Sequence, residues 1–482
     1  MTATTLDVLF AAADASDRVL LVDGARRSTG RETAEYVART AGWLASQGVG
    51  RGDVVAWQLP NGRGPVVLYR ACWRLGAIAA PLHHLAGAAD RAAFLDSMRP
   101  TLLVDADHGV PDRPGVDPVH DDRARPGDTA VILHTSGSSG RAKGVVHLHE
   151  VLARKAKVMV RAHGLTPDDV VLMPAPLAHV SGLLNGVLVP GAGAFTSVMM
   201  PRWDPGVALA LIRAEHVTFM VGPPTFFIGL EGDDNFGPTA VRSLRLISAG
   251  GAGVTPAFVE HTSAAFDAVV KRSYGSTEAP TVTTSGPGDD AATRSDTDGH
   301  PVEGMEVRIV DPATGHRRPP GVRGEVQVRG PDMFAGYTDD ALTYAAMIDG
   351  WFRTGDLGLL DAHGRLTVTG RMGDLIIRGG ENISAAEVEA HLEAHPAVAG
   401  AVAVGEPDDR LGERVCAFVT LVPGADGFDL ADCHDWFATR GVARFRTPER
   451  VVVLDGLPVL PSGKADRAAL TRRASDPQLR SS

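Results

Sequence analysis

Residues 129–144 read TAVILHTSGSSGRAKG, an apolar strand that runs directly into a loop of glycines and hydroxyl side chains. Glycines let backbone N–H groups approach a polyanion closely, and hydroxyls and a lysine add donors and positive charge. The candidate phosphate-binding residues are Thr135, Ser136, Gly137, Ser138, Ser139, Gly140 and Lys143. Because Lys143 is followed by Gly144 rather than by serine or threonine, the loop differs from the phosphate loop of kinases and GTPases.

Short apolar runs alternate with helical patterns on both sides of this loop. The runs cover residues 54–59, 78–81, 170–173, 219–221, 244–248 and 268–270. The chain between them is long enough for crossover helices, which is typical of parallel strands. We therefore predict an α/β fold with helix-covered sheets, and surface loops at the polar stretches 108–128, 231–239 and 285–299.

The length of 482 residues exceeds what one hydrophobic core usually holds, so two domains are expected. The best boundary lies at Gly373 and divides the chain into residues 1–373 and 374–482. Beyond it, an apolar helical stripe at Ala385, Val388 and Leu392 precedes strand-like runs, which cover residues 398–404, 415–421 and 451–454. The second domain is therefore predicted to be a compact α+β unit.

Composition excludes several classes of function. The formal net charge of −11 opposes non-specific binding to nucleic acid. Cys72, Cys416 and Cys433 lack CxxC spacing, which indicates neither a disulfide framework nor a zinc site. No apolar run is long enough to predict a membrane span, and the first residues lack the basic region of a signal peptide. We expect a cytoplasmic protein that binds no nucleic acid.

Residues 135–144 resemble the signature loop of the adenylate-forming, AMP-binding superfamily, which comprises acyl-CoA synthetases, adenylation domains of non-ribosomal peptide synthetases and beetle luciferases. The resemblance covers about residues 20–470. It implies a large N-terminal domain of helix-covered mixed sheets plus a distorted barrel, and a small, mobile α+β C-terminal domain. It also implies ATP, Mg²⁺ and coenzyme A as cofactors.

Two further motifs of the superfamily concern the nucleotide and the metal. Residues 274–278, YGSTE, resemble the motif in which Tyr274 stacks on adenine, Thr277 reaches phosphate and Glu278 holds Mg²⁺ through oxygen. Residues 250–252, GGA, resemble the segment that lies beside the adenine. The resemblance therefore assigns to the nucleotide site Gly250, Gly251, Ala252, Tyr274, Gly275, Ser276 and Thr277.

A third motif concerns the ribose. Residues 350–357, GWFRTGDL, resemble the segment whose carboxylate, here Asp356, accepts both ribose hydroxyls. Residues 370–374, GRMGD, follow in the order that the superfamily has, and they imply Arg371 as the second ribose contact.

The last motif supplies the catalytic lysine. Residues 458–467, PVLPSGKADR, resemble the segment in which Lys464 bridges the substrate carboxylate and the α-phosphate. The resemblance also implies that the small domain rotates about Asp374 between two half-reactions. After rotation, Gly379 and Gly380 would border the pantetheine channel in place of the lysine.

Residues 174–182, PAPLAHVSG, resemble the segment that lines the acyl pocket, with His179 as a gate between the acyl and pantetheine sites. Amino-acid-activating relatives carry an aspartate here, and its absence argues against an amino acid, because a buried ammonium without a partner is costly. The predicted pocket residues are His179, Val180, Gly182, Gly222, Phe226, Ala249, Gly251 and Ala279. Such small and apolar walls suit a fatty, aryl or bulky alicyclic acid, whereas acetate would gain too little apolar contact.

These motifs predict an acyl-CoA synthetase that forms an acyl-adenylate and then a CoA thioester, with Lys464, His179, Thr277 and Glu278 as catalytic residues. One alternative is an enzyme that loads an acyl carrier protein in trans. A luciferase-like oxidative enzyme and a non-catalytic nucleotide-binding scaffold protein are further alternatives. Both a monomer and a homodimer remain open.

Overall fold

The structure, a computed structural model, describes residues 4–105, 116–135, 143–378, 381–408, 410–460 and 463–476. Their strands form four sheets, of nine, six, five and five strands. The α/β prediction with mixed sheets is confirmed. Within the described ranges, every helix is too short or too polar to cross a membrane.

The nine-stranded sheet has a parallel centre and antiparallel edges. Its strands lie in the order His300–Pro301, Thr283–Thr284, Val269–Tyr274, Leu246–Gly250, Phe219–Gly222, Val170–Met173, Thr196–Met199, Val19–Asp23 and Arg26–Thr29. The apolar runs predicted at 170–173, 219–221, 244–248 and 268–270 all belong to this parallel centre. Its strands Leu246–Gly250 and Val269–Tyr274 end in residues of the predicted nucleotide site.

The six-stranded sheet carries the predicted phosphate loop. Its strands lie in the order Gly336–Tyr337, Lys143–Leu148, Thr129–Thr135, Ile78–Pro81, Val54–Trp57 and Leu102–Val104. Strands Thr129–Thr135 and Lys143–Leu148 are antiparallel, and Thr135 pairs with Lys143. The loop between them lies outside the described residues.

The third sheet is antiparallel throughout and forms a half-barrel, where the resemblance implies a distorted barrel. Its strands are Glu306–Val310, Gly324–Arg329, Trp351–Leu360, Met347–Ile348 and Leu366–Arg371. The fourth sheet belongs to a separate C-terminal domain, and its strands are Glu381–Ser384, Leu375–Arg378, Gly412–Leu421, Val398–Asp408 and Arg450–Val453.

Helices of seven or more residues cover these sheets: Gly30–Ser46, Arg63–Leu75, Ala88–Met98, His149–His163, Pro205–Glu215, Pro224–Glu231, Pro256–Phe266, Asp340–Ala346, Ala385–Glu393, Leu430–Thr439 and Arg467–Ser475. Shorter helical segments are Leu6–Leu9, Ala11–Asp14, Val180–Leu183, Leu184–Leu188, Val189–Gly193, Pro238–Val241, Ala291–Asp296, Met372–Asp374 and Arg444–Arg446.

Local sequence explains several helix ends. Thr29 and Glu32 form a capping box at the start of Gly30–Ser46, and Asp204 accepts from the N–H of Val207 at the start of Pro205–Glu215. Gly76 ends the helix Arg63–Leu75 with φ +69°, a conformation that glycine adopts without strain.

The largest core lies between the two mixed sheets. Trp57, Tyr69 and Trp73 pack together there, with Trp57 edge-on to Tyr69 at 4.8 Å between ring centroids. The C-terminal domain has its own cores, in which Ala385, Val388 and Leu392 are buried as the helical stripe predicts. Two of the predicted loops also contain short helices: Pro238–Val241 begins inside 231–239, and Ala291–Asp296, capped by Asp290, lies inside 285–299.

Candidate active site

Tyr274, Asp356 and Arg371 meet at the point where the nine-stranded sheet reaches the half-barrel. The Tyr274 hydroxyl donates to Oδ2 of Asp356 at 2.6 Å, and Nε of Arg371 lies 2.8 Å from Oδ1. Asp356 and Arg371 are also register partners on neighbouring strands. Burial raises the pKa of Asp356, and Arg371 and the tyrosine hydroxyl oppose that rise. Burial also raises the pKa of Tyr274 well above its usual value, so the phenol keeps its proton.

Glu278, Tyr337 and Lys143 form a second group. The Tyr337 hydroxyl donates to Oε1 of Glu278 at 2.7 Å, and Nζ of Lys143 lies 5.4 Å from the centroid of the Tyr337 ring. Sequence reasoning missed Tyr337, because the Gly-Tyr pair at 336–337 carries no sign of a partner 59 residues away. The group joins the lysine at the end of the phosphate loop to the carboxylate predicted to hold the metal.

The segment 275–281, which carries Thr277 and Glu278, is held from several sides. Nε2 of His147 hydrogen-bonds to the Thr277 carbonyl at 2.8 Å, and the N–H of Phe334 donates to the Glu278 carbonyl at 2.7 Å. Nζ of Lys155 donates to the Thr281 carbonyl at 3.1 Å. These bonds fix the backbone on which both predicted catalytic side chains stand.

Packing and hydrogen bonding explain why Gly275 and Ser276 occupy their positions in this segment. A Cβ on Gly275 would lie 2.3 Å from the Thr281 backbone nitrogen, so only glycine fits this turn. The Ser276 hydroxyl accepts from the Ala279 N–H at 3.2 Å. Both residues shape the turn that presents Thr277 and Glu278.

Lys464 lies against the glycine pair that ends strand Leu246–Gly250. A Cβ on Gly251 would be 3.4 Å from Cε and 3.9 Å from Nζ of the lysine. The preceding Gly463, at φ +82°, packs against the Phe226 ring, and its carbonyl accepts from the Thr225 hydroxyl. Burial and Arg371 lower the pKa of Lys464, whereas Asp356 raises it. The lysine is therefore within the electrostatic reach of the predicted ribose contacts.

His179 precedes the helix Val180–Leu183, contacts the ring of a second histidine and lies within the electrostatic reach of Lys464. Its ring centroid is 5.3 Å from that of His83, which in turn stacks on His84 at 4.7 Å. Burial, His83 and Lys464 lower the pKa of His179 to about 4. The predicted gate is therefore neutral at pH 7. Sequence reasoning missed His83, and the His-His pair after strand Ile78–Pro81 was the available signal.

The predicted acyl pocket is brought together in part. Phe226 is buried and stacks on Trp203 at 4.4 Å, and a Cβ on Gly222 would lie 2.5 Å from the Phe226 ring. Ala249 and Ala279 are buried, and Val180 is partly buried. Gly182 is explained by backbone packing instead, because a Cβ there would lie 2.1 Å from the Pro176 carbonyl oxygen.

Other predicted residues take different positions. A Cβ on Gly250 would lie 2.4 Å from the Ser273 carbonyl oxygen, and Ala252 is exposed. Asp374 ends the turn Met372–Asp374 and lies 3.7 Å from Nε of Arg467. Predicted residues outside the described part of the chain are Ser136, Gly137, Ser138, Ser139, Gly140, Gly379 and Gly380.

The donor set fits a nucleotide and a magnesium ion. An ionised carboxylate offers about four lone-pair directions, so Asp356 retains acceptor capacity beyond Tyr274 and Arg371. Glu278 uses one oxygen for Tyr337, and among the described residues no cluster of three or more metal-binding side chains surrounds it. Magnesium in phosphate sites needs only one or two protein carboxylates, because substrate and water oxygens supply the rest.

Comparisons with known proteins show which family the sequence matches. A family model described as AMP-binding enzyme matches residues 10–338, and one described as AMP-binding enzyme C-terminal domain matches residues 387–464.

Two curated relatives and one solved structure are similar over nearly the whole chain. The chain is 31% identical to the medium-chain fatty-acid–CoA ligase of Escherichia coli (strain K12), over 95% of this chain and 88% of the relative. It is 35% identical to the 3-[(3aS,4S,7aS)-7a-methyl-1,5-dioxo-octahydro-1H-inden-4-yl]propanoyl:CoA ligase of Mycobacterium tuberculosis (strain ATCC 25618 / H37Rv), over 94% of this chain and 95% of the relative. The crystal structure of ATP-bound MatB from Rhodopseudomonas palustris is similar with a TM-score of 0.87 and 28% identity, over 98% of this chain and 99% of that one. The chain belongs to the family of AMP-binding enzymes.

Proposed function

We propose that the protein is an ATP-dependent carboxylic acid:CoA ligase that forms an acyl-adenylate and then an acyl-CoA thioester. The observation that carries this proposal is the position of Lys464, which lies against Gly251 and within electrostatic reach of His179 and Asp356. One cation thus serves both the nucleotide side and the acyl side of the site.

In the first half-reaction, a carboxylate oxygen attacks the α-phosphorus of ATP and the bond to pyrophosphate breaks. Two anions must approach each other, so fixed positive charge lowers the barrier. Lys464 neutralises the carboxylate and the developing charge at the α-phosphate, while Lys143 lies on the side of the phosphate loop. Tyr274, Asp356 and Arg371 orient the nucleoside.

Glu278 would hold the magnesium ion, with Tyr337 fixing the orientation of its carboxylate. When bound, the ion would offset negative charge on the phosphate oxygens of ATP. Thr277 would reach a phosphate oxygen from the same segment, whose backbone His147 holds in place.

In the second half-reaction, the CoA thiol loses its proton and its sulfur attacks the acyl carbonyl, and the bond to AMP breaks. The side that Lys464 covers must then open to the thiol. We place the boundary between residues 373 and 374 and propose that the C-terminal domain rotates about Asp374. The short turn Met372–Asp374 between two strands supports a hinge there.

We propose a hydrophobic fatty, aryl or alicyclic acid as substrate. The buried Phe226, Ala249 and Ala279 support it, and so do the names of the two relatives, which act on a medium-chain fatty acid and on an alicyclic propanoic acid. A neutral His179 adds no charge that would favour a second carboxylate.

We further propose free CoA as the acceptor and the cytoplasm as the compartment. Three buried, unpaired cysteines support a reducing environment. Comparing thioester formation on CoA with that on a phosphopantetheinylated carrier protein separates the two possible acceptors. Preference for the carrier would replace CoA as the acceptor.

Acid-dependent pyrophosphate release tests the whole proposal, with octanoate, cinnamate, cyclohexanepropanoate, acetate and glycine as probes. We expect release with at least one of the first three acids and little with acetate or glycine. Absence of release with every hydrophobic acid would contradict the proposal.

Lys464→Ala tests the division between the half-reactions. We expect pyrophosphate release to fall on the order of 10²–10³-fold, because a preorganised cation is lost from the transition state. Thioester formation from preformed acyl-adenylate should remain within about threefold of wild type, because the lysine has left the site by then. Lys157→Ala removes a lysine from the helix His149–His163 and serves as the matched control. Equal loss in both assays would refute the rotation.

A further inference from the structure

His83 lies beside the predicted gate but belongs to none of the family motifs that the sequence supplies. It lies two residues beyond strand Ile78–Pro81, and its ring packs between those of His84 and His179. His179 in turn is close enough to Lys464 for the ammonium to depress its pKa. His83 is thus one residue removed from the reacting groups.

The tautomer of His83 is fixed by its own loop. The N–H of Leu85 donates to Nδ1 of His83 at 3.0 Å, so Nδ1 is an acceptor. Burial and the neighbouring His84 lower the pKa of His83 to about 4, so the ring is neutral at pH 7. A neutral imidazole with Nδ1 as acceptor carries its proton on Nε2.

The Nε2–H of His83 is buried and has no hydrogen-bond partner within the described part of the chain. Buried donors are normally paired, so an unpaired one beside the predicted gate is free to donate to a ligand atom. The Leu85 N–H bond to Nδ1 and the ring contacts with His84 and His179 orient the imidazole. Gln58 fixes the backbone of the loop, because its Nε2 donates to the carbonyls of His83 and Ala86 at 3.3 and 2.9 Å. The loop therefore presents a rigid donor beside His179.

We propose that His83 is a substrate-contacting residue whose Nε2–H donates to a neutral oxygen acceptor at the junction of the acyl and thiol sites. The inference rests on the proposed ligase function. Lys464 is the cation assigned to the substrate carboxylate, and a neutral ring adds no charge of its own. We therefore assign to His83 a carbonyl, ether or hydroxyl oxygen rather than a carboxylate. Two substrates carry such oxygens: an oxygenated acyl group, and the amides of the pantetheine arm.

Two variants of His83 separate binding from loop structure. His83→Phe keeps a ring between His84 and His179 but removes both nitrogens. His83→Asn offers an oxygen to the Leu85 N–H yet has no donor at the Nε2 position. The first assay measures KM for octanoate, cinnamate and cyclohexanepropanoate, each beside its hydroxylated or keto analogue, by pyrophosphate exchange. The second measures KM for CoA in thioester formation from preformed acyl-adenylate.

We expect both variants to raise one KM by roughly 3- to 10-fold, as loss of one neutral hydrogen bond predicts, with kcat within about twofold. A higher KM confined to oxygenated acids assigns the acceptor to the acyl group, and a higher KM for CoA assigns it to pantetheine. Wild-type KM values in both assays would overturn the inference, and so would recovery by His83→Asn, which would indicate a loop-structural role. A wild-type enzyme without acid-dependent exchange would refute the ligase proposal itself, and the two failures are therefore distinct.

Discussion

At the scale of single residues, the carboxylate of Asp356 contacts one neutral donor and one positively charged donor. A neutral phenol, Tyr274, approaches one oxygen and a guanidinium, Arg371, approaches the other. The arrangement fixes the carboxylate plane, and both donors favour the ionised form against the burial that raises the pKa of Asp356. Lone pairs are left for two ribose hydroxyls. The charge of Arg371 therefore orients the Asp356 carboxylate as well as attracting it.

Replacing Asp356 by asparagine tests that role. The amide would present N–H groups toward Arg371 or Tyr274 and lose the charge-assisted bonds. We expect KM for ATP to rise on the order of 10- to 100-fold, which corresponds to about 1.5–3 kcal/mol. Pyrophosphate exchange at varied ATP measures it, with Asp168→Asn at an exposed ion pair as the control. An unchanged KM for ATP would show that Asp356 does not bind the ribose.

The order of the motifs predicted which distant residues would lie together, but it could not predict the neighbouring residues that hold their side chains in place. Tyr274 and Asp356 are 82 residues apart and Gly251 and Lys464 come from different domains, yet each pair lies together in the structure. Tyr337 could not be predicted, because its role depends on a partner 59 residues away that no local periodicity records. Local pattern therefore identifies the groups that react better than those that hold them.

At the scale of elements, the helix His149–His163 supports the segment 275–281 from behind. Lys155 is fully buried and lies 2.9 Å from the equally buried Asp332, while it also donates to the Thr281 carbonyl. Thr281 has φ +42°, which is uncommon for a β-branched residue. The buried lysine thus stabilises a strained turn just beyond Glu278.

Lys155→Met should destabilise the protein by roughly 3 kcal/mol, because it leaves the Asp332 carboxylate buried with Arg154 as its remaining cation. Urea denaturation measures the loss. The double variant Lys155→Met/Asp332→Asn should recover part of it, because the uncompensated charge is gone. Lys157→Met on the same helix is the matched control and should change stability by less than about 0.5 kcal/mol. A single variant as stable as wild type would contradict this role.

Elements with strong periodicity were predicted well, and those set by capping were not. The runs 78–81 and 170–173 coincide with strands, because buried parallel strands are short and continuously apolar. The helix Ala291–Asp296 was missed inside a stretch interpreted as a loop, because its polar sequence carries no apolar stripe and depends on the Asp290 cap. Short capped helices of this kind have little signal in composition.

At the scale of the whole molecule, contacts between the C-terminal domain and the rest of the chain keep Lys464 in the site. Arg323 pairs with Glu387 at 2.6 Å, and the Ser384 hydroxyl donates to the Thr369 carbonyl at 2.6 Å. Both contacts are partly buried, and each contributes on the order of 1 kcal/mol, so they can be broken without unfolding either domain. Sequence could not predict this orientation, because motif order is the same in every orientation of the domain.

Glu393 ends the helix Ala385–Glu393 and makes a further contact between the domains, which depends on the protonation of its carboxyl group. Burial and the neighbouring Glu389 raise the pKa of Glu393 to about 8, and the Thr255 hydroxyl beside it belongs to the N-terminal part of the chain. A raised carboxyl pKa means that the folded protein holds a proton that the unfolded chain releases near pH 4.5. Its stabilising contribution is therefore complete below about pH 4.5 and is lost as pH rises to 8.

Glu393→Gln mimics the protonated side chain and should remove this dependence. Relative to the variant, the wild type should lose at most about 1.4 kcal/mol of unfolding free energy per pH unit between pH 5 and 8, with no further loss above pH 8. Urea denaturation at pH 5.5, 7, 8 and 9 measures the difference. Glu260→Gln, at an exposed glutamate, is the control.

Because Thr255 faces Glu393 across the domain contact, Glu393→Gln should also keep its acyl-adenylation rate to higher pH than the wild type. Parallel pH curves for both proteins would show that Glu393 is ionised throughout and that the contact needs no proton.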